Sequence, residues 1–488
     1  MSYPVHNHLE AHARFQPDQE VLFDVESDRR YTWQELYRLS RRWVRRLQLE
    51  GVGSGERISL LSHNRAETFA VLYAAAELGA TLHLLNWRLA PAEMAWQLSH
   101  ARPRVLLTDP AHRDVLDRPS IPLDEDPDVA EASGPGPQLA QPWMLLYTSG
   151  TTGRPKGALL THRMIHWNAV NTVLACGLTA QSSTLTFTPL FHTGGLNCLS
   201  TPLLHIGGRI VLTGGVRPGR DLSLIAQEQI THLMGVPTIY QMLADDPGFA
   251  RADLSSVQDA LCGGAPLSVD LLERYLARDV PLRQGFGMTE VGPNCFSLPP
   301  AEQRRKLGSV GKPIHHVRMR LVRPDKTPCA VGEPGELWMQ GPTVFGGYLD
   351  NPDANAKSFV DGWFRTGDVL SCDADGFYWV VGRQKEMFIS GGENVYPAEV
   401  EAAIYQVSGV AQVAVIGVPH ARWGEVGHAF VEPRPGSVLD GVTLTQALGG
   451  ALARFKIPKV WTVEENLPRT GAGKIDKAAL QRRLRGSE

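Results

Sequence analysis

Residues 57–86 read RISLLSHNRAETFAVLYAAAELGATLHLLN. RISLLS (57–62) is a short apolar run with the character of a strand. AETFAVLYAAAELG (66–79) is rich in helix formers and ends in glycine, and TLHLLN (81–86) is a second strand-like run. Strand, helix, strand is the βαβ rhythm, which predicts a parallel sheet with helices on its faces. Just upstream, Thr32 followed by Glu35 forms a capping box. Leu36, Leu39, Trp43 and Leu47 then recur at helical spacing, and Gly51 stops the run.

Working outward, residues 115–142 are rich in Pro, Asp, Glu and Gly and read as a surface connection. PWMLLY (142–147) is a short buried strand. Residues 308–350, rich in Gly, Pro and Val, read as short β-strands joined by tight turns. A second alternation begins near 385, with a helix at AEVEAAIYQ, strands at AQVAVIGV and HAFVEP, and a final helix. A boundary at Arg383–Lys385 divides the chain into 1–384 and 385–488, the latter of ordinary domain size.

The 488 residues hold 48 Lys plus Arg against 51 Asp plus Glu, a balance that argues against a nucleic-acid binder. The basic group Arg41, Arg42, Arg45 and Arg46 reads as the solvated face of an amphipathic helix. MSYPVHNHLE lacks a charged-then-apolar pattern, so no secretory signal is expected. No apolar run approaches the roughly 20 residues of a membrane span, so any membrane association is expected to be peripheral. The six cysteines, Cys176, Cys198, Cys262, Cys295, Cys329 and Cys372, are scattered without a CxxC pair. That pattern fits a reducing cytoplasm better than a disulfide framework or zinc site.

Chemistry concentrates in a few stretches. TSGTTGRPKG (148–157) sets Thr148, Ser149, Thr151 and Thr152 beside glycines and Lys156. Glycines let several N–H groups point into one concavity, and a polyphosphate is the natural guest. Pro155 stands where a P-loop needs its second glycine, so this is a different phosphate loop. GFGMTE (285–290) offers Phe286 to stack on a purine, Thr289 to donate to a phosphate and Glu290 to bind Mg²⁺. CGGAPL (262–267) supplies glycines for close approach to a base, and Asp368 of RTGD (365–368) is suited to accept ribose hydroxyls. Taken singly, each has a structural explanation: a turn, a core aromatic, a solvated acid.

Together these blocks resemble the adenylate-forming acyl-CoA synthetases. YTSGTTGRPKG (147–157), PLFHTGG (189–195), GFGMTE, GWFRTGD (362–368), GRQKEMFISGGENVYPAEVE (382–401) and PRTGAGKID (468–476) occur in the family's order across most of the chain. The resemblance is nearest to compact bacterial acyl-CoA and aryl-CoA ligases, among them o-succinylbenzoate, coumarate and fatty acyl-CoA ligases. It implies a large N-terminal domain of α/β subdomains with a small β-barrel-like part, then a small mobile α+β domain. It also implies two half-reactions. A carboxylate attacks the α-phosphate of Mg·ATP to give acyl-adenylate and pyrophosphate, and coenzyme A thiol then gives the thioester and AMP. Positioning and electrostatics should supply most of the catalysis.

The roles implied by resemblance are as follows. Thr148, Ser149, Gly150, Thr151, Thr152, Gly153 and Lys156 hold the β- and γ-phosphates. Gly263, Gly264, Ala265 and Pro266, with Gly285, Phe286, Gly287 and Met288, surround adenine. Phe286 stands where the family often has Tyr, which loses a hydroxyl but keeps the stacking. Thr289 contacts phosphate, Glu290 is the Mg²⁺ ligand, and Asp368 with Arg383 holds ribose. Lys474 bridges the substrate carboxylate and the α-phosphate; a compact charge on a flexible stem suits that task. His192 is a gating or positioning residue at the acyl and thiol end, with Gly194, Gly195, Val291 and Gly292 beside it. Lys385 is the hinge on which the small domain swings, bringing Ser390, Gly391 and Gly392 to the pantetheine arm.

Within enzymes, loading of a separate carrier protein is the alternative acceptor, and a luciferase-like oxidation shares the adenylation step. Outside them stands a catalytically inactive nucleotide-binding homologue, which retention of Thr148–Lys156, Glu290 and Lys474 argues against. The acid is expected to be a medium- or long-chain fatty acid, with an aromatic acid second; Arg283 leaves a dicarboxylic acid open. The partners are then a small-molecule carboxylic acid, ATP and coenzyme A, with a homodimer left open.

Overall fold

The computed structural model describes residues 7–148, 155–390, 393–449, 451–470 and 473–485. Ser149, Gly150, Thr151, Thr152, Gly153, Gly391 and Gly392 lie outside the described residues.

The βαβ unit forms as its sequence dictates. Arg57–Leu61 and Thr81–Leu85 are parallel neighbours, and Ala66–Leu78 is the helix between them, closed by Gly79 in the left-handed conformation. Eleven of that helix's 13 residues are buried, so it is covered on every side rather than amphipathic. The six-stranded sheet runs Ile121–Pro122, Val105–Thr108, Arg57–Leu61, Thr81–Leu85, Pro142–Thr148, Lys156–Thr161. The chain leaves Arg57–Leu61 first for one side and later for the other, so the strand order reverses there.

A second, seven-stranded sheet runs Leu282–Gln284, Asp259–Cys262, His232–Gly235, Ser183–Thr186, Arg209–Leu212, Glu20–Asp24, Arg29–Thr32. All its pairs are parallel except the Glu20–Asp24 and Arg29–Thr32 hairpin. Its order reverses at Ser183–Thr186, which lies between Arg209–Leu212 and His232–Gly235.

The helix Trp33–Leu49 carries the expected capping box and packs on Ala66–Leu78. Leu36, Leu39, Trp43 and Leu47 are all buried, each leucine contributing roughly 1.5–3 kcal/mol. Trp43→Ala is the change that would open this seam, at about 3–5 kcal/mol. The basic face is less solvated than its sequence suggests. The 115–142 connection lays Glu131 against Arg41 and Asp126 against Arg42, while Arg45 stays exposed.

Next comes a five-stranded antiparallel sheet of Arg318–Val322, Gly335–Gln340, Phe359–Val360, Trp363–Cys372 and Tyr378–Arg383, the part read as barrel-like. A turn holding Lys385 leads to the last sheet: Phe388–Ser390, Glu393–Val395, Val410–His420, Gly424–Pro433 and Val460–Val463. Helices Pro397–Tyr405, Gly441–Leu448 and Lys477–Arg485 accompany it, giving the α+β arrangement expected. This C-terminal part has its own core around Phe388, Val400, Ile404 and Val413. It meets the rest of the chain at an exposed ion pair, Arg434 to Asp270 at 2.9 Å. The six cysteines are free thiols. Among the described residues no helix is long and apolar enough to cross a membrane.

Candidate active site

Both parallel sheets send their functional loops from the carboxyl ends of strands. Gly263–Pro266 follows Asp259–Cys262, Gly285–Glu290 follows Leu282–Gln284, the His192 loop follows Ser183–Thr186, and Thr148 ends Pro142–Thr148. Open α/β sheets bind ligands at these ends, where the strand order reverses. Asn64, just past the reversal strand of the first sheet, is buried. It donates to the carbonyls of Thr188 (2.9 Å) and Thr213 (3.1 Å) and accepts from the N–H of Leu190 (2.9 Å). One amide thereby ties the reversal points of the two sheets together.

The purine end is made of clamped backbone. Gln284 donates to the carbonyls of Cys262 (3.3 Å) and Ala265 (3.2 Å) and accepts from the N–H of Leu267 (2.6 Å). It thus fixes Gly263, Gly264, Ala265 and Pro266 against the strand leading to Gly285. At Gly287 a Cβ would overlap the Pro293 carbonyl, so only glycine fits. The Met288 N–H donates to the Gly292 carbonyl at 3.1 Å and closes the loop, leaving Thr289 at its tip. Phe286 packs edge-on against Phe296, with ring centroids 5.7 Å apart. Val291 is 1% exposed and belongs to the main core, so its side chain packs rather than lining a pocket.

Charged groups gather beside that loop. Glu290 is 5% exposed and accepts from the Tyr348 hydroxyl (3.0 Å) and the Thr148 hydroxyl (3.3 Å). Burial holds its carboxyl above the usual range. The Lys156 ammonium lies 4.8 Å from the Tyr348 ring centroid. Its pKa is lowered by burial first and then by the nearby Lys385 charge. Two lysines facing one patch suit a polyanion between them.

Asp368 and Arg383 are cross-strand partners, and the Arg383 Nε donates to Asp368 Oδ1 at 2.9 Å. Burial pushes the Asp368 carboxyl up even so. Lys474 sits on a hairpin-like turn, where the Thr470 N–H donates to the Lys474 carbonyl (2.7 Å) and the Gly473 N–H to the Thr470 carbonyl (2.8 Å). Its side chain enters a crevice beside Gly264, where a Cβ would come within 3.2 Å of the Lys474 Cε. Water reaches this crevice. The surrounding protein, and then the Arg383 charge, still lower the Lys474 pKa. The Lys474 charge is felt by both Asp368 and His192, groups up to 282 positions apart in the sequence.

At the acid end His192 precedes the single turn Thr193–Gly195 and a π turn, Leu196–Ser200. Such turns recur at functional sites. The His192 Nε2 is buried without a hydrogen-bond partner. Burial, helped by Lys474 and Arg88, pushes its pKa down to about 4. Gly194 faces the Met234 side chain, with 3.1 Å left for a Cβ, whereas a Cβ on Gly195 would run into the Pro189 carbonyl. Of the two, only Gly194 could take a side chain, and then only as the flexible end of Met234 gives way. Trp87 stands edge-on to Phe191, ring centroids 6.1 Å apart, and Arg88 lies over Trp87. Arg283 does not serve this end: it is 3% exposed and held by Asp259 through bonds of 2.7 and 2.6 Å.

Asn64, Gln284 and Tyr348 escaped the sequence reading. Asn64 sits directly after a recognised strand of the βαβ unit, a signal that position alone carried. Gln284 also ends a strand, whereas Tyr348, in a loop of the antiparallel part, had no local signal.

Lys156, the buried Glu290, the Asp368–Arg383 pair and Lys474 stand where the sequence reading expected the groups of an adenylate-forming site. The sequence profile of the AMP-binding enzyme family matches residues 9–349, and that of the AMP-binding enzyme C-terminal domain matches 399–474. A feruloyl-CoA synthase from an Amycolatopsis species is 42% identical over 466 residues, covering 93% of this chain and 94% of the relative. An indoleacetate–CoA ligase from Aromatoleum aromaticum is 38% identical over 96% of both chains. The structure of o-succinylbenzoate CoA synthetase from Bacillus subtilis with its acyl-adenylate intermediate is 32% identical, covers 99% of this chain and 98% of its own, and has a TM-score of 0.89. The same enzyme has been solved with ATP and a magnesium ion. The chain belongs to the AMP-binding enzyme family, and within it to the adenylate-forming acid–CoA ligases.

Proposed function

We propose that this enzyme activates a ring-bearing carboxylic acid with ATP and transfers the acyl group to coenzyme A. The observation that carries the assignment of residues is the Lys474 side chain lying against Gly264 with its charge felt by Asp368 and His192, while Glu290 bonds Thr148 and the Tyr348 whose ring Lys156 faces. Two anions must meet during adenylation, the acid's carboxylate and the α-phosphate. Lys474, with a flexible stem and a charge reaching the cavity, holds them together. Lys156 and the Thr148 hydroxyl receive the outer phosphates, Phe286 and the Gly263–Pro266 turn receive adenine, and Asp368 with Arg383 takes the ribose hydroxyls. Glu290, already sharing its Oε1 with two hydroxyls, has a second oxygen to offer a cation, and Mg²⁺ there would offset phosphate charge.

His192 positions rather than deprotonates. A base of pKa about 4 would take a proton from a thiol near pKa 8.5 at a cost of roughly 6 kcal/mol. Its buried, unpartnered Nε2 instead offers one hydrogen bond to the acyl or thiol group. The turn at Lys385 is the boundary and hinge of this reading, with 385–488 swinging away after adenylation.

A ring-bearing acid is preferred to a fatty acid for two reasons. Feruloyl, indoleacetate and succinylbenzoate, named for the relatives, all carry a ring and a short acid arm. Trp87, Phe191 and Met234 give the acid end an apolar and partly aromatic wall, and Arg283 is bound elsewhere. The free thiols fit action in a reducing cytoplasm. The test is a panel of cinnamic, arylacetic, benzoic, fatty and dicarboxylic acids, read by ATP-dependent AMP release with coenzyme A. Ring-bearing acids should lead by at least tenfold in kcat/KM. A fatty acid in first place would overturn the substrate class, and thioester formation only on a carrier protein would overturn the acceptor.

A further inference from the structure

Away from the cavity just described, three histidines meet where three helices converge. His8 begins the helix His8–Phe15, His166 lies in His162–Cys176, and His205 lies in Thr201–Ile206. Each offers one ring nitrogen, and the three nitrogens lie within 4.8 Å of one another. Two are already closer: the His205 Nδ1 and the His8 Nε2 are 3.1 Å apart. In a tetrahedral zinc site, metal–nitrogen bonds of about 2.0–2.1 Å put two ligand nitrogens about 3.3 Å apart. Small side-chain rotations thus convert this cluster into a three-coordinate face.

The surroundings favour a metal over three idle rings. The histidines line a small cleft, with room for about one water, together with Asn7, Thr201 and His162. His162, stacked on Trp143, has a buried Nε2 with no partner in the same cleft wall. The His12 ring nitrogen is 3.2 Å from the backbone carbonyl of His205, which anchors the residue from behind. The site shares no residue with the adenylate cavity.

We propose that His8, His166 and His205 bind one transition-metal dication of the zinc class, with the cleft leaving room for water as a fourth ligand. Imidazole nitrogen suits zinc, copper, nickel and cobalt, and the absence of a carboxylate from the trio disfavours magnesium and calcium. With His8 158 positions before His166, and His166 39 before His205, the ion would be a staple between the N-terminal helix and the main body.

The experiment uses the untagged full chain, stripped with chelator and then equilibrated with Zn²⁺ in the absence of ATP. Bound metal is counted by mass spectrometry, Co²⁺ is substituted for its visible spectrum, and the thermal midpoint is followed. The wild type should retain one Zn²⁺ per chain, show the intense d–d bands of low-coordinate Co²⁺, and melt several degrees higher with Zn²⁺. His166→Ala and His205→Gln should each lose at least tenfold in zinc affinity and the zinc-dependent rise in midpoint, while keeping ligase activity. Zinc retention unchanged in both variants, or no retention by the wild type at micromolar Zn²⁺, would overturn the site. Should His166→Ala fold poorly, His8→Gln on the first helical residue provides the same reading.

Discussion

The purine end and the acid end of the cavity are built by opposite means. At the purine end the backbone is clamped: Gln284 makes several bonds to the turn it faces, and the loop around Gly287 closes so tightly that no side chain fits. At the end expected to take the acid, Met234 and Trp87 offer side chains, and the His192 Nε2 is buried without a partner. A backbone mould serves a ligand that never changes, the nucleotide. A wall of side chains is what substitution can reshape, so on the reading proposed above one half would hold the chemistry constant and the other would select the acid.

Five substitutions or conditions can break or sharpen that contrast. Glu290→Ala should cost the most. Losing a cation's charge compensation removes several kcal/mol, about 10³-fold in ATP-dependent AMP release, with the fold retained by circular dichroism. Wild-type Mg²⁺ dependence in the mutant would contradict its role. Lys474→Ala should lose roughly 10²–10³-fold in adenylation, the scale of one oxyanion donor. It should still convert supplied acyl-adenylate and coenzyme A to thioester. Lys385→Pro should do the reverse, because proline fixes φ in a turn that has to change its dihedrals. Equal slowing of both half-reactions by each mutation would refute domain alternation.

Gly194→Leu acts on the other half. It should shift preference among acids by about 10–200-fold, the range of modest steric changes in apolar pockets, and leave the KM for ATP alone. An unchanged acid profile would mean that the pocket lies elsewhere. The smallest effect concerns pH. Burial depresses His192 to about 4 and His83 and His162 to about 3, all from 6.5 when unfolded. The unfolded chain then binds more protons below 6.5, so stability is full above that value and declines as pH falls toward 4 and 3. The thermal midpoint should drop across this window, and His162→Phe, which keeps the stack on Trp143, should flatten the decline.

Much of the fold was readable because local patterns agreed with tertiary demands. Thr32 with Glu35 capped its helix, Gly79 ended the next, and the strands at 57–61 and 81–85 fell within a residue of their apolar runs. The reaction class was equally legible, since the family's blocks are dense. Three features were not. The 4-Å-scale meeting of Lys474 with Gly264 depends on how the C-terminal part sits, which no local pattern encodes. The difference between Gly194 and Gly195, adjacent and identical, is set by which neighbour each faces. Arg283 looked free in sequence because its partner Asp259 is a strand neighbour, visible only once the sheet is assembled.

The ion pair between Arg434 and Asp270 has a kinetic consequence. Both side chains are substantially exposed, so the pair contributes about 0–1 kcal/mol and at most about a fivefold bias toward the closed arrangement. On the swinging motion proposed above, a contact that light would break at every turnover without becoming the slow step, yet would still tilt the enzyme toward accepting ATP first. Raising ionic strength from 0.05 to roughly 0.5 M shortens the screening length and should erase the tilt. The order of substrate binding would then become more random, seen as weaker inhibition by coenzyme A analogues against ATP, and Asp270→Asn should reproduce the high-salt behaviour in low salt.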